Sequence, residues 1–266
     1  MSEQKIILNN IDLNQTYTFK EFELINEKLK THTLEINENP VDLFDLDAKG
    51  NLIAMPQATH CMEVTVAEIT RKLCSWNLFS RKNGDIKTSQ GGFNFNVGGQ
   101  RTIRAPDVSF TPKAISRQLT QLQRWTFEGQ PFTPTLVVEV SDTEKRSKFE
   151  DMNFKIISDY FAPGTAVTLG WLIDPKQKRI WVYKRDQCGN VIRNEHCWEN
   201  IDGGDTLPGF VLDVQMIDYA ISQAPTPEAS EDEYELKINC PECSESFTEC
   251  YKFVRHYEKY HGRKKK

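Results

Sequence analysis

Two carboxylates stand at the ends of apolar, strand-like runs, Asp107 in RAPDVSF and Glu139 in TLVVEVS, and Lys155 follows in the next helix-like segment. An ionised carboxylate left unpaired in an apolar setting costs several kcal/mol or takes up a proton. Acids in such places therefore point to a bound metal, a hydrogen-bond partner or proton transfer. A second group of residues with chemical capacity lies near the C-terminus. Cys240, Cys243, His256 and His261 read Cys-x2-Cys-x12-His-x4-His, inside the ligand spacing of a two-cysteine, two-histidine zinc finger.

The interior of the C-terminal segment fits that spacing. Phe247 follows Cys243 by four residues and Phe253 precedes His256 by three, where leucine is usual, so a minimal core can form over a metal. A segment of about 25 residues has too little core to fold alone, and zinc binding supplies the missing free energy. Cys250 lies outside the ligand spacing. Counting back from His256 places Glu249, Lys252 and Arg255 at the positions that contact successive bases in DNA-reading fingers. One finger covers about three base pairs. Phosphate contacts from Lys259, Arg263, Lys264, Lys265 and Lys266 would have to assist. Single fingers also bind proteins, so a nucleic acid, DNA first, and a protein partner both stand. The GRKKK tail reads equally as a solvated end or a nuclear import signal.

The elements that must position these groups follow from periodicity. TFKEFELINEKLK suggests a short helix, and VDLFDLDAKGNLIAMP reads as two strands joined through Asp47, Ala48, Lys49 and Gly50, a turn-forming composition. Met62, Val66, Ile69, Leu73 and Trp76 form one apolar stripe at helical period, with Glu68 beside it. DIKTS, GFNFNV and TIRAPDVSF are strand candidates punctuated by Gly91, Gly92, Gly98 and Gly99. A helix is expected around Ile115, Leu119 and Leu122. TLVVEVS and VTLGWLID then bracket a helical stretch with Phe149, Met152, Ile156 and Tyr160, and RIWVYK adds a strand. Alternation in TLVVEVS sends Leu136, Val138 and Val140 to one face and Val137, Glu139 and Ser141 to the other. The sum is a mixed α/β sheet with flanking helices.

Length and charge bound the rest. At 266 residues there is room for one large core plus a small module. A domain of ~200 residues buries about 70% of its unfolded-chain surface and needs no extra staple. The N-terminus MSEQKIILNN lacks a signal-peptide apolar core, and no run of ~18 apolar residues exists to span a bilayer, so an intracellular protein of nucleus or cytoplasm without membrane contact is expected. Seven cysteines, two of them in Cys-x2-Cys, then read as metal binding and buried thiols rather than a disulfide framework. The net charge of -5 is unevenly spread: residues 238–266 carry seven basic and four acidic side chains. The segment SQAPTPEASEDEYELK reads as an acidic linker, dividing the chain into a main domain at 1–221, a linker at 222–237 and a finger with a basic tail at 238–266.

Over residues 18–216 the motifs DAKGNLIAMP, AEITRKLCSWN, GGFNFNVGGQRTIRAPDVSF, PTLVVEVS, the helix with Lys155, LGWLIDPKQKRIWVYK and LPGFVLDV occur in one order. In that order they resemble the restriction-endonuclease family best known from bacteria, a branch of the PD-(D/E)xK nuclease-like superfamily. LGWLIDP with its basic turn is the most recognisable tract. The resemblance implies a restriction-endonuclease-like fold, to which the finger adds a small ββα unit, and metal-dependent phosphodiester hydrolysis. It maps the family's helical glutamate onto Glu68, the aspartate of the Pro-Asp pair onto Asp107 and the strand glutamate onto Glu139. The superfamily's lysine normally stands two residues beyond that glutamate, where this chain has Ser141. Lys155 is the best match for a lysine in the following helix, with Lys145 and Lys148 nearby. The interval from Lys155 to Tyr160 is one residue longer than the family pattern.

Magnesium at Asp107 and Glu139 follows from the resemblance, with Glu68 orienting a water or meeting a second ion and Lys155 holding water or neutralising phosphate. The competing expectation is a catalytically silent fold serving as a zinc-finger adaptor. A zinc hydrolase is disfavoured because both histidines are committed to a closed site. Relatives of this fold often act as dimers, so a homodimer is possible.

Overall fold

Helix formation at the start of the chain is set by a capping box, in which Thr18 and Glu21 each take the other's backbone N–H. The structure is a computed structural model and describes residues 11–32, 34–36, 39–56, 58–186, 188–222, 238–247 and 250–261. In chain order the elements begin α1 (Phe19–Leu29), β1 (Leu34–Ile36), β2 (Asn39–Leu46), β3 (Leu52–Pro56), α2 (His60–Phe79), β4 (Asp85–Thr88), β5 (Phe93–Asn94), β6 (Ile103–Arg104) and β7 (Val108–Thr111). Then come α3 (Lys113–Ser116), α4 (Gln121–Trp125), β8 (Leu136–Val140), α5 (Arg146–Phe154), a π-helical turn (Lys155–Tyr160), β9 (Leu169–Asp174), β10 (Arg179–Arg185), β11 (Val191–Cys197), β12 (Ile201–Asp202), β13 (Val211–Leu212) and α6 (Val214–Ser222). Two compact units result, Met1–Ser222 and Gln223–Lys266. Residues 223–237 of the expected linker lie outside the described residues.

A smaller sheet of β1, β2, β3, β5 and β6 packs under α1, whose Phe22, Ile25 and Leu29 meet Phe44, Leu46, Leu52 and Ile103. Strands β2 and β3 pair antiparallel through the Asp47–Gly50 turn. There Asp47 Oδ1 accepts the N–H of Lys49 at 2.8 Å and of Asn51 at 2.7 Å. Gly50 sits at φ 85°, a conformation that any side chain strains. Because Phe44 and Leu46 face α1, alternation turns Asp45 between them to the opposite face.

The larger sheet runs β11-β10-β9-β8-β7-β4, with β8 and β9 parallel and the other neighbours antiparallel. Parallel neighbours require a crossover, and α5 with the π-turn supplies it. Strand β8 is covered on both faces, which explains why Leu136, Val137 and Val138 are consecutive apolar residues. Leu136 and Val138 join one core with α2 and α6, while Val137 joins another with Ile156, Tyr160 and Trp181. Buried Asp174 ends β9 fully engaged: Oδ2 accepts from the Thr143 N–H and hydroxyl, and Oδ1 from the N–H groups of Lys176 and Gln177. It thereby pins the chain just beyond β8.

The expected helix around Ile115 to Leu122 is broken into α3 and α4, because Thr120 caps a new helix with Gln123 as its capping-box partner. The second unit is a hairpin of β14 (Ile238–Asn239) and β15 (Ser246–Phe247) followed by α7 (Cys250–Tyr260), a ββα arrangement. Phe247 and Phe253 pack with ring centroids 5.9 Å apart. No helix among the described residues is long and apolar enough to cross a membrane.

Candidate active site and candidate metal centre

Asp107, Glu139 and Lys155 meet in one cleft of about 980 Å³ within the first unit. Asp107 immediately precedes β7, and its Oδ2 accepts the Val140 N–H at 2.7 Å. The β7–β8 ladder pairs Val108 with Val138 and goes no further, so this carboxylate takes a donor that β7 leaves unclaimed. Glu139 follows Val138 on β8 and is 4% exposed. Its Oε1 lies 3.0 Å from Lys155 Nζ and accepts a short hydrogen bond from the Tyr160 hydroxyl. A third acid, Asp45, comes from the other sheet and stands 3.9 Å from Lys155 Nζ.

Behind these groups lies buried Arg104. Its Nε and NH2 donate to Asp159 Oδ2 at 2.7 and 2.6 Å, and its NH1 is 3.7 Å from Asp45 Oδ2. Four carboxylates thus face two cations, an excess of two negative charges in a poorly hydrated place. Burial, with the Glu139 charge second, pushes Asp107 up to about 7 despite the Val140 hydrogen bond. Burial likewise raises Asp45 to about 6 against the pull of Lys155 and Arg104. For Lys155 burial alone would lower the pKa, but Glu139, Asp45 and Asp107 outweigh it and hold the ammonium charged. Burial and the adjacent Glu139 keep the Tyr160 phenol protonated.

Of the expected site residues, Glu68 lies outside this cluster. It is buried on α2, but Arg71 one turn on clamps it through two bonds of 2.7 Å, Nε to Oε2 and NH2 to Oε1, and it does not line the cleft. Glu63, earlier on the same helix and exposed, lies near enough to Asp107 to raise its pKa. Of the three candidate lysines, Lys155 alone touches the acids, Lys148 lines the cleft, and Lys145 precedes α5 without lining it. The extra residue between Lys155 and Tyr160 is absorbed by the π-turn: Phe161 N–H reaches back five residues to Ile156 O at 2.9 Å. An i to i+5 step there keeps both side chains on one face, as i to i+4 does in an α-helix.

Sequence reasoning missed Asp45, Arg104 and Tyr160. Alternation within VDLFDLD carried the signal for Asp45, but Asp42 and Asp47 in the same run hid it. Nothing local marked Arg104 or Tyr160, whose partners lie 55 and 21 residues away.

In the second unit the ligand atoms of Cys240, Cys243, His256 and His261 all lie within 4.8 Å of one another. Cys243 Sγ is 3.3 Å from His256 Nε2, and the two Nε2 atoms of His256 and His261 are 3.2 Å apart. Tetrahedral zinc with bonds of 2.0–2.3 Å needs ligand separations of about 3.3–3.8 Å, so the donor set and spacing fit that ion. Lys252 and Arg255 are exposed on α7, while Glu249 lies outside the described residues, as do Arg263 to Lys266.

Strands from two sheets, a lysine on the crossover and converging carboxylates define a nuclease-like α/β domain. The family model Uma2, described as "Putative restriction endonuclease", matches residues 30–215, about 70% of the chain. The chain belongs to that family. A solved structure described as "a putative nuclease belonging to DUF820 from Anabaena variabilis ATCC 29413" is 14% identical, with a TM-score of 0.49 over 74% of this chain and 97% of that one. The comparison with curated proteins gave no match.

Proposed function

We propose that the chain is a magnesium-dependent nuclease that hydrolyses phosphodiester bonds in DNA, with its zinc-binding ββα unit as a nucleic-acid tether. The observation that carries this reading is the meeting of Asp45, Asp107, Glu139 and Lys155 in one cleft, three carboxyl groups around one ammonium. Oxygen donors in that excess suit a hard divalent cation. Asp107 and Glu139 would hold it, with Asp45 beside them. Bound there, magnesium offsets charge on the phosphoryl oxygens and makes water more acidic.

The chain's own groups do the rest. Val140 N–H fixes one oxygen of Asp107, and Tyr160 with Lys155 fixes one oxygen of Glu139, so each carboxylate is oriented before any ligand arrives. Lys155, held protonated, donates to an anionic phosphate oxygen and does not act as a base. The finger, with Lys252 and Arg255 outward and Lys259 near its end, raises the local DNA concentration at the cleft through the linker.

A plasmid-nicking assay tests this. Supercoiled DNA should be cut with magnesium or manganese, and a chelator should stop the reaction reversibly. Asp107→Ala and Glu139→Ala should each abolish cutting with the fold retained. Unchanged cleavage in both variants would reject the site.

A second reading, a silent fold acting as a zinc-finger adaptor for nucleic acid or protein, draws on the 3.0 Å ion pair by which Lys155 already neutralises Glu139. Calorimetry separates the two: magnesium or manganese binding that Asp107→Ala removes supports the enzyme, and no binding at millimolar metal supports the adaptor.

A further inference from the structure

The charged residues share their cleft with apolar ones. Ile53 of β3, Met62 of α2 and Phe154 of α5 line the same cavity as Asp107, Glu139 and Lys155. Phe154 is 66% exposed and Ile53 41%. Among the described residues no other aromatic ring packs against Phe154. A large ring left open inside a concave, charged site signals a ligand with a flat apolar part as well as an anionic one. Phe154 directly precedes Lys155, so ring and ammonium leave the backbone at adjacent positions.

The cations of the cleft suit a duplex poorly. Intact duplex presents its phosphates outward and hides its bases, so binding depends on many unpaired lysines and arginines. Here Lys155 is paired with Glu139, Arg104 with Asp159, and Lys176 with Asp142 and Glu144 at 2.7 and 2.6 Å. Among the described residues lining the cleft, Lys148 is the cation without a carboxylate partner. An unpaired nucleotide instead offers one phosphate to the polar cluster and a bare base to the ring.

We propose that Phe154 is a base-stacking platform and that the cleft takes unpaired, single-stranded nucleic acid in preference to intact duplex. This rests on the nuclease reading above and names its substrate class. The test offers one sequence to the full chain with magnesium in three forms: single strand, perfect duplex, and duplex with a central unpaired bubble. Single strand and bubble should be cut at least tenfold faster than duplex. Phe154→Ala, at a position 66% exposed, should lower kcat/KM on the single strand about tenfold, mainly through KM. Phe154→Trp should retain the preference. Anisotropy of a labelled single strand, with calcium replacing magnesium, should show the same loss for Phe154→Ala. Duplex cut as fast as single strand, or a Phe154→Ala protein with unchanged KM and binding, overturns the inference while the nuclease reading survives. No cleavage of any form under magnesium or manganese overturns both.

Discussion

Tyr160 holds Glu139 by a single hydrogen bond in a buried place, and the cost of losing it should show in the cation rather than in the fold. Tyr160→Phe keeps the ring packed against Phe95, whose centroid is 4.9 Å away, but leaves Glu139 Oε1 with Lys155 alone. The expected outcome is a 10- to 100-fold rise in the magnesium concentration giving half-maximal cleavage, with little change in Tm. An unchanged magnesium requirement would refute the positioning role. Asp107 and Asp45 make a second prediction. Their native pKa values, about 7 and about 6, exceed the ordinary 3.8, so the native state keeps protons that the unfolded chain has lost. The stability they contribute to metal-free protein is therefore complete below about pH 4 and is lost as pH rises through 6 to 7, by a few kcal/mol. Urea titrations in chelator should show wild type losing stability across that window relative to Asp107→Asn. A constant difference between the two would contradict the burial argument.

At the level of elements, the π-turn is the feature that places Lys155. Deleting Ile157, which is 36% exposed, should let α5 run on as α-helix with Lys155 and Tyr160 four apart on one face, preserving cleavage. Inserting alanine after Ile157 should turn Lys155 about 100° away from Tyr160 and cut activity at least 100-fold. Equal activity in both proteins would show that the turn does not set the lysine. Gly170 matters for the same reason: a Cβ there would come within 2.9 Å of the Phe161 ring, so the turn seats on β9 only because position 170 is bare. The β2–β3 hairpin, the α2 stripe and β8 were all legible from periodicity and turn composition. The π-turn was not, since apolar spacing reports an average helical period and hides one inserted residue. Glu68 was ambiguous for a related reason. Its place beside the stripe is also that of a surface glutamate with an arginine three residues on, and only the packing shows which role it has.

On the scale of the whole chain, the two units should respond separately to metal removal. The ββα unit has Phe247, Phe253 and its Cys/His cluster for a core, so on the zinc-binding reading proposed above a chelator should unfold residues 238–261, seen as collapse of their amide resonances, while the Tm of the first unit stays put. Cooperative loss of both units would contradict this. Ending the chain at Ser222 should leave cleavage at saturating DNA intact but raise the DNA concentration required several-fold. The family resemblance and the Cys/His spacing were readable because each depends on order or interval along the chain. Asp45 was not, because its membership of the site depends on how one sheet meets another.

That meeting governs when the cleft exists at all. Asp45 belongs to the smaller sheet, Glu139 to the larger, and Lys155 to the crossover between β8 and β9. A chain emerging from the ribosome has its acids early but lacks the strand against which the crossover settles until residue 174 has been made. Whatever hydrolytic capacity the protein holds therefore waits on that strand, and a chain halted before it lacks the assembled cleft.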